Sequence, residues 1–280
     1  MPNPVINRRT LANASNAFVY DSEVLDWITR VEGLGSSVSQ PTKDAANTLM
    51  LAIKAAGLRS KIKRFGIYAG DTKAACAAPL IKDLGGTTDS YTAALTSGTW
   101  IYSETGAGGG LHSSGSDISN TAVSANDAAL GLNDYHIGVY KTTKGNAGIT
   151  MGAGTTGVGV LAFSFNGGGN QANYFMFSST GDILGVADTP QTGHYVLARN
   201  GTDTAYRNGS SVGTQAAPAG ARSTGQIYVH NASLDGVAWG GAATTATIAC
   251  YHLGTFLTSS EVAALYTPIQ AFQTALTRNV

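Results

Sequence analysis

Leu197-Ala-Arg-Asn-Gly-Thr-Asp-Thr-Ala-Tyr-Arg-Asn-Gly-Ser-Ser-Val212 contains Arg-Asn-Gly at 199–201 and again at 207–209. Asn-Gly supplies the positive φ angles of the tight turns that join antiparallel strands, so each copy marks a hairpin. The residues between them, about Asp203–Arg207, read as a strand with Thr204 and Tyr206 on one face. The repeat is therefore a β-meander and not an adhesion tripeptide.

Outward from this meander the same grammar holds from about residue 87. Trp100–Tyr102, Tyr135–Lys141, Val158–Phe165, Tyr174–Ser178, Ile183–Ala187, His194–Arg199, Thr204–Arg207, Gln226–His230 and Ile248–Leu253 are short and rich in aromatic or β-branched residues. Gly, Asn, Asp or Ser bounds each run. No amphipathic helix separates them, which predicts an antiparallel sandwich rather than an α/β fold. Before residue 87 the pattern is helical. Asp21 or Ser22 can cap a helix carrying Val24, Trp27, Ile28 and Val31, which Gly33 stops. A second begins near Pro41 with Ser39 or Thr42 as cap, carries Ala46, Leu49, Ile53 and Ala56, and closes at Gly57. Lys61–Ala69 alternates as a strand, and Asp71 is expected to cap a short helix through Cys76. At the other end, Thr258-Ser-Ser-Glu261 is a capping box. Val262, Leu265, Tyr266, Ile269, Phe272 and Leu276 follow at helical spacing, and Pro268 predicts a kink or a break. Residues 1–20 lack periodicity and read as a flexible arm.

The composition agrees with this division. Only 12% of the 280 residues are charged and 36 are Gly, a poor recipe for a mainly helical protein and a good one for strands joined by turns. The net charge is zero but unevenly spread: residues 1–86 hold 11 Lys/Arg against 7 Asp/Glu, and residues 87–280 hold 6 against 10. Arg59, Lys61, Lys63 and Arg64 form a basic cluster, read as an attachment patch for an acidic or polar partner. No aromatic stacking pattern accompanies it, which argues against nucleic acid. Cys76 and Cys250 stand far apart with no ligand spacing and read as buried free thiols. No apolar run approaches the ~18 residues of a membrane span. The opening Met1-Pro-Asn-Pro-Val-Ile-Asn-Arg-Arg9 has no apolar core, so no secretory signal is expected.

Two catalytic strings occur out of context. Gly152-Ala-Gly-Thr-Thr-Gly157 matches a dinucleotide fingerprint but precedes a strand-like run where that motif needs a helix. Gly209-Ser-Ser-Val-Gly213 matches a nucleophile elbow but follows a hairpin turn. Glu104, Asp117, Asp127, Asp134, Asp182, Asp188, Asp203 and Asp235 sit mostly in turn-like contexts, with no pair placed for glycoside hydrolysis. The five histidines show no zinc spacing, and His136, His194, His230 and His252 fall in strand segments and read as ordinary sheet residues. No catalytic residue, metal or cofactor is expected. Trp100 and Trp239 are candidates for stacking on sugar rings, with core packing as the alternative.

Gly193-His-Tyr-Val-Leu-Ala-Arg-Asn-Gly-Thr202 with Ala205-Tyr-Arg-Asn-Gly209 resembles the central hairpin of laminin-G-like, concanavalin A-like domains. Ile248-Ala-Cys-Tyr-His-Leu-Gly254, then Phe256-Leu-Thr-Ser-Ser-Glu261 and Ala264-Leu-Tyr266, resembles the end of that domain. The tail Tyr266-Thr-Pro-Ile-Gln-Ala-Phe-Gln-Thr-Ala-Leu276 is similar to the ending of a group of tailed-bacteriophage and prophage structural proteins. Ala55-Ala-Gly-Leu-Arg-Ser-Lys-Ile-Lys-Arg-Phe-Gly-Ile-Tyr-Ala-Gly70 resembles the segment preceding their sandwich. The resemblance covers residues 40–280 in patches. It implies a mainly β protein: a concanavalin A-like jelly-roll sandwich over 87–258, a mostly helical attachment region over 21–86, and a closing helix over 259–280. It further implies a non-enzymatic virion structural protein, made in the host cytoplasm and displayed as a head decoration, fibre or tail component. Its expected partners are other virion proteins and further copies of itself. The alternative is a glycan-binding adhesin or receptor-binding module, with host surface glycan as ligand.

Overall fold

A computed structural model describes residues 19–95, 99–115, 117–127, 129–166, 170–178, 183–216, 221–240 and 243–280. Most of the arm expected over 1–20, and Asp182, lie outside the described residues. The chain begins with α1 (Ser22–Gly33) and α2 (Gln40–Ala55), then β1 (Ile62–Gly66), a 3-10 turn (Lys73–Ala77), β2 (Ile81–Lys82) and β3 (Ser90–Tyr91). There follow β4 (Ile101–Ser103), β5 (Gly110–His112), β6 (Ser119–Ser124), β7 (Tyr135–Lys141), β8 (Gly148–Thr155) and β9 (Gly159–Asn166). Next come β10 (Gln171–Ser178), β11 (Ile183–Ala187), β12 (Gly193–Arg199), β13 (Asp203–Arg207) and β14 (Ser210–Gln215). The last elements are β15 (Gln226–Val229), β16 (Ala232–Leu234), β17 (Val237–Ala238), β18 (Thr247–Gly254) and α3 (Ser259–Ala275).

The strands form two sheets packed face to face, the sandwich expected from the sequence. Sheet A runs β14-β13-β12-β7-β18-β1-β2, with β5 on β18 and β4 on β5. Sheet B runs β11-β10-β9-β8-β15-β6-β3, with the β16–β17 hairpin joined to β8. The meander forms as read, β12–β13–β14, and its register sets Arg199 opposite Asp203 and Arg207 opposite Ser210. Asn208 and Gly209 both take positive φ, 49° and 79°, as the second turn requires. Alternation divides each strand between two faces. Ile137, Val139, Leu197 and Leu253 of sheet A meet Met151, Leu161, Phe163 and Val229 of sheet B in one core.

The opposite face of sheet A is covered by helices. Val24, Trp27, Ile28 and Val31 of α1, Ala46, Leu49 and Ile53 of α2, and Val262, Leu265, Ile269 and Phe272 of α3 are buried. They pack on Phe65, Tyr140, Val196, Ala198 and Cys250. Each such aliphatic or aromatic side chain contributes roughly 2 kcal/mol of burial before entropy is charged. The N-caps are Asp21, Ser39 and Thr258, and Thr258 with Glu261 completes the capping box. Two local expectations are corrected and a third is narrowed. Ala56 is exposed beyond the end of α2. The turn near residue 73 is capped by Thr72 without a side-chain bond, while Asp71 accepts from Ser37 instead. Pro268 does not break α3, which removes the two-piece alternative and leaves the single helix.

Sheet A also crosses the line expected at residue 86. β1 pairs antiparallel with β18, Phe65 opposite His252, and β2 pairs with β1. Trp27 Nε1 donates to Ala78 O at 3.1 Å, and buried Arg278 donates to Tyr68 O at 2.8 Å. The helices, sheet A and the C-terminus are thus tied directly to one another. The layer order is helices, sheet A, sheet B.

Candidate functional site

The basic cluster does not make a free patch. Arg59 holds Asp83 through two bonds of 2.8 Å and Glu23 through its Nε at 2.6 Å. Asp83 and then Glu23 thereby hold its guanidinium pKa above the usual value, against the opposing effect of burial. Lys61 reaches Glu261 at the start of α3 at 2.7 Å. Arg64 is fully buried in sheet A, where it pairs with Asp89 and donates to Leu84 O. Asp89 also accepts from Tyr251 Oη at 2.6 Å. Among the described residues Lys63 alone of the four has no ion pair, and it is half-buried. These charges stitch the helical layer to the sheet. Their acidic partners lie up to 200 positions away, so the one-dimensional cluster looked free when it was not.

Trp100 is likewise removed as a stacking platform. It is 1% exposed, its Nε1 donates to Thr92 O and Ala93 O at 3.1 Å, and its ring meets Tyr91 and His230 edge-on. The string at 152–157 lies in the β8–β9 hairpin, where a Cβ on Gly152 would stand 2.4 Å from Leu161 O. The string at 209–213 leads into edge strand β14. The seven described carboxylates of the sandwich set are each engaged. Glu104 accepts from Gly70 N, Asp117 from Ser114, Asp127 from Ala129 N, and Asp134 from Phe256 N. Asp188 accepts from Tyr195, Asp203 from Tyr135, and Asp235 from Thr156.

Cys76 and Cys250 are buried free thiols in different layers, the first in the sandwich core and the second under the helices. Burial pushes the Cys250 thiol up to about 12. The histidines depart from the expected ordinary pattern. His136, His194 and His252 come from adjacent strands β7, β12 and β18 and meet between sheet A and α3. His194 Nε2 and His252 Nε2 are 2.8 Å apart, and Tyr266 of α3 stacks on His194. Burial brings His136 down to about 4 and His194 to about 3, with His252 well below the ordinary value. No linear spacing announces this cluster, because strand pairing creates it. Among the described residues no group of three or more His, Cys, Asp or Glu is arranged to hold a metal.

The remaining candidate surface is the outward face of sheet B. Its centre is built from small residues: Gly152 lies beside Ala162, and Gly185 is exposed beneath the Gln171 amide. Asn173 and Ser164 stand side by side on β10 and β9, and Ser164 pairs with Ile149 on β8. On the far strands Asn120 Nδ2 donates to Gln226 Oε1 at 2.6 Å. None of these outward-facing residues is charged. Across them lies the β16–β17 hairpin, whose Asp235 and Gly236 both take positive φ. Asp235 is pinned by two bonds from Thr156, and Tyr228 Oη donates to Gly236 O at 3.2 Å. The hairpin sets down Trp239, held by Trp239 N to Ala232 O at 2.9 Å and Asn231 Nδ2 to Trp239 O at 3.2 Å. The indole packs on the patch of Ile149, Val160, Ala162 and Ala232 and remains half-exposed. Its N–H has no acceptor among the described residues. Trp239 therefore keeps the position its sequence reading allowed. Ser164 and Asn173 lie one and two strand spacings beyond Ile149, within ~10 Å. The arrangement is an indole beside a flat, uncharged set of amide and hydroxyl groups.

No family model matches the chain, and no curated protein is found similar to it. Among solved structures, domain 4 of AbnA, a GH43 extracellular arabinanase from Geobacillus stearothermophilus solved with arabinotriose, aligns at 14% identity with a TM-score of 0.51. That alignment covers 74% of this chain and 98% of the domain, and it shows a shared β-sandwich fold. Trypanosoma rangeli sialidase aligns at 14% identity with a TM-score of 0.44, over 74% of this chain and 32% of the enzyme. The CBM40 of Ruminococcus gnavus IT-sialidase aligns at 12% identity with a TM-score of 0.38, over 48% of this chain and 83% of that domain.

Proposed function

We propose that the protein is a non-enzymatic binding module that grips neutral glycan on the outward face of sheet B. The observation that carries this reading is the half-exposed Trp239 beside Ser164 and Asn173 on an uncharged sheet face. A sugar ring offers an apolar face for the indole and a rim of hydroxyls for amides and alcohols. Uncharged partners serve such a ligand without the desolvation cost of an ion. The engaged carboxylates support a binding role over hydrolysis, since a glycosidase needs two of them free to face the scissile bond. A glycan array followed by calorimetry tests the proposal. Trp239→Ala is expected to weaken the strongest ligand at least ~10-fold, about 1.4 kcal/mol, with the fold intact. Unchanged binding in that variant, or turnover of the ligand, overturns it.

A second reading places this module on a phage particle, as a decoration, fibre or tail protein. Its support is the sequence likeness of residues 40–280 to phage structural proteins. The three-layer body, with one face covered and the other open, suits display with sheet B outward. Antibodies to residues 87–280 applied to intact particles test this placement by electron microscopy. Regular label on the head supports a decoration protein, label at the tail tip supports receptor binding, and particles without label overturn it.

A further inference from the structure

The groove between α2 and α3 is apolar and open. Ala45, Leu49 and Ala52 form one wall and Pro268, Ala271 and Ala275 the other, enclosing about 280 Å³. After Glu261 in its first turn, α3 carries no charged residue, and its outward positions include Ala263, Ala264, Thr267 and Ala271. A surface helix normally turns a charged or strongly polar face to water, so this one lacks a partner. Leu51 on the neighbouring ridge of α2 is 49% exposed.

The chain itself arrives at this place. Tyr20 is fixed to α2 by its hydroxyl bond to Asp44 Oδ1 at 2.6 Å, and Thr48 of the groove wall lies one helical turn beyond Asp44, bonded to its carbonyl. Asp21 N is held by Asn47 Oδ1 at 2.7 Å, while Val19, next in line, is 85% exposed. Eighteen further residues precede Val19. The nearest of these, Thr10-Leu-Ala-Asn-Ala-Ser-Asn-Ala-Phe18, carry no charge and offer Leu11, Ala14 and Phe18 as apolar groups. From Asp44 to Ala52 along α2 is ~12 Å, which four extended residues span. We infer that residues 11–18 of the same chain dock in the α2–α3 groove. Tethering this close to its site gives the segment an effective concentration that a free partner has to exceed.

Cys76 and Cys250 are buried, so a cysteine introduced on the rim reports the groove alone. Ala271→Cys is made in the full chain and in a chain starting at Val19, and labelled with a maleimide. Labelling at least ~10-fold faster in the shorter chain is expected, as is a similar rise in the full chain carrying Leu11→Ser and Phe18→Ser. Thermal unfolding of each variant checks that the body is intact. Equal labelling rates in all three intact chains overturn the assignment. Protection that disappears on dilution also overturns it, and gives the groove to a second copy.

Discussion

The outward side chains of sheet A end against three helices, whereas those of sheet B end in solvent or beneath a single hairpin. The two sheets share a common core, yet their sequences differ as their surroundings do. In β7, β12 and β18 every residue is buried, and the strands read as nearly continuous apolar or aromatic runs. In β6 burial alternates residue by residue, with Asn120, Ala122 and Ser124 outward. A strand covered on both faces cannot afford the alternation that a half-exposed strand shows. Sheet A concentrates the ionisable groups that are costly to bury, and Ser164, Asn173 and Asn120 on the outward side of sheet B are uncharged. On the proposed function, stability and recognition fall to different sheets.

Acidification is the strongest way to break that comparison. Burial holds His136 and His230 down at about 4 and His194 at about 3, with His252 well below its ordinary value, against about 6.5 when unfolded, so all four are neutral in the folded protein. Above pH 6.5 both states are neutral and the contribution is complete. Below it the unfolded state takes up protons first, so stability falls as pH falls. Each histidine contributes up to ~1.4 kcal/mol per pH unit, enough together to unfold the protein by about pH 4. Urea melts from pH 8 to 4 are expected to show a plateau above neutrality and a steep decline below pH 6.5. A flat profile from pH 6.5 to 5 breaks the assignment of neutral buried histidines.

Asp89→Ala comes next. It leaves Arg64 buried without its counter-ion and is expected to cost ~3–5 kcal/mol in denaturant melts. Asp235→Ala, at the exposed turn on the sheet B side, is expected to shift the same melts far less than Asp89→Ala. A matched glycine pair sharpens the contrast. A Cβ on Gly138 would stand 2.3 Å from the buried His252 ring, whereas one on Gly185 meets the flexible end of Gln171 and, at 3.3 Å, Asn173 Oδ1. Gly138→Ala is expected to destabilise by ~1–3 kcal/mol, and Gly185→Ala by less than ~0.5 kcal/mol. Equal losses at the two sites contradict the division of labour. On the helix edge, Thr258→Ala removes the capping box and is expected to cost ~1 kcal/mol.

Much of this architecture was legible in the chain. Arg-Asn-Gly repeated at 199 and 207 marked the meander, and Thr258 with Glu261 marked the start of α3. The glycines of Gly148–Thr155 hid β8, because a strand built from small residues to lie close beneath others lacks the β-branched signature. Arg59, Lys61 and Arg64 looked like a surface because their acidic partners are far off in sequence. The three clustered histidines depend on strand register, which single-residue spacing does not encode. Trp239 was visible as a candidate, but its neighbours Ser164 and Asn173 were not. They join it only through β8, β9, β10 and the β16–β17 hairpin.

The pairing of β1 with β18 also sets the order of assembly. Phe65 and His252 are neighbours in sheet A although almost the whole sandwich lies between them in the chain. During synthesis α1 and α2 emerge first, with apolar stripes whose platform is still unmade. Closure waits for β18, and contacts of such long sequence separation slow folding to the millisecond-to-second range or beyond. A nascent chain stalled before residue 247 therefore exposes the Trp27 and Leu49 faces of its helices, and is expected to bind chaperones until the final strand arrives.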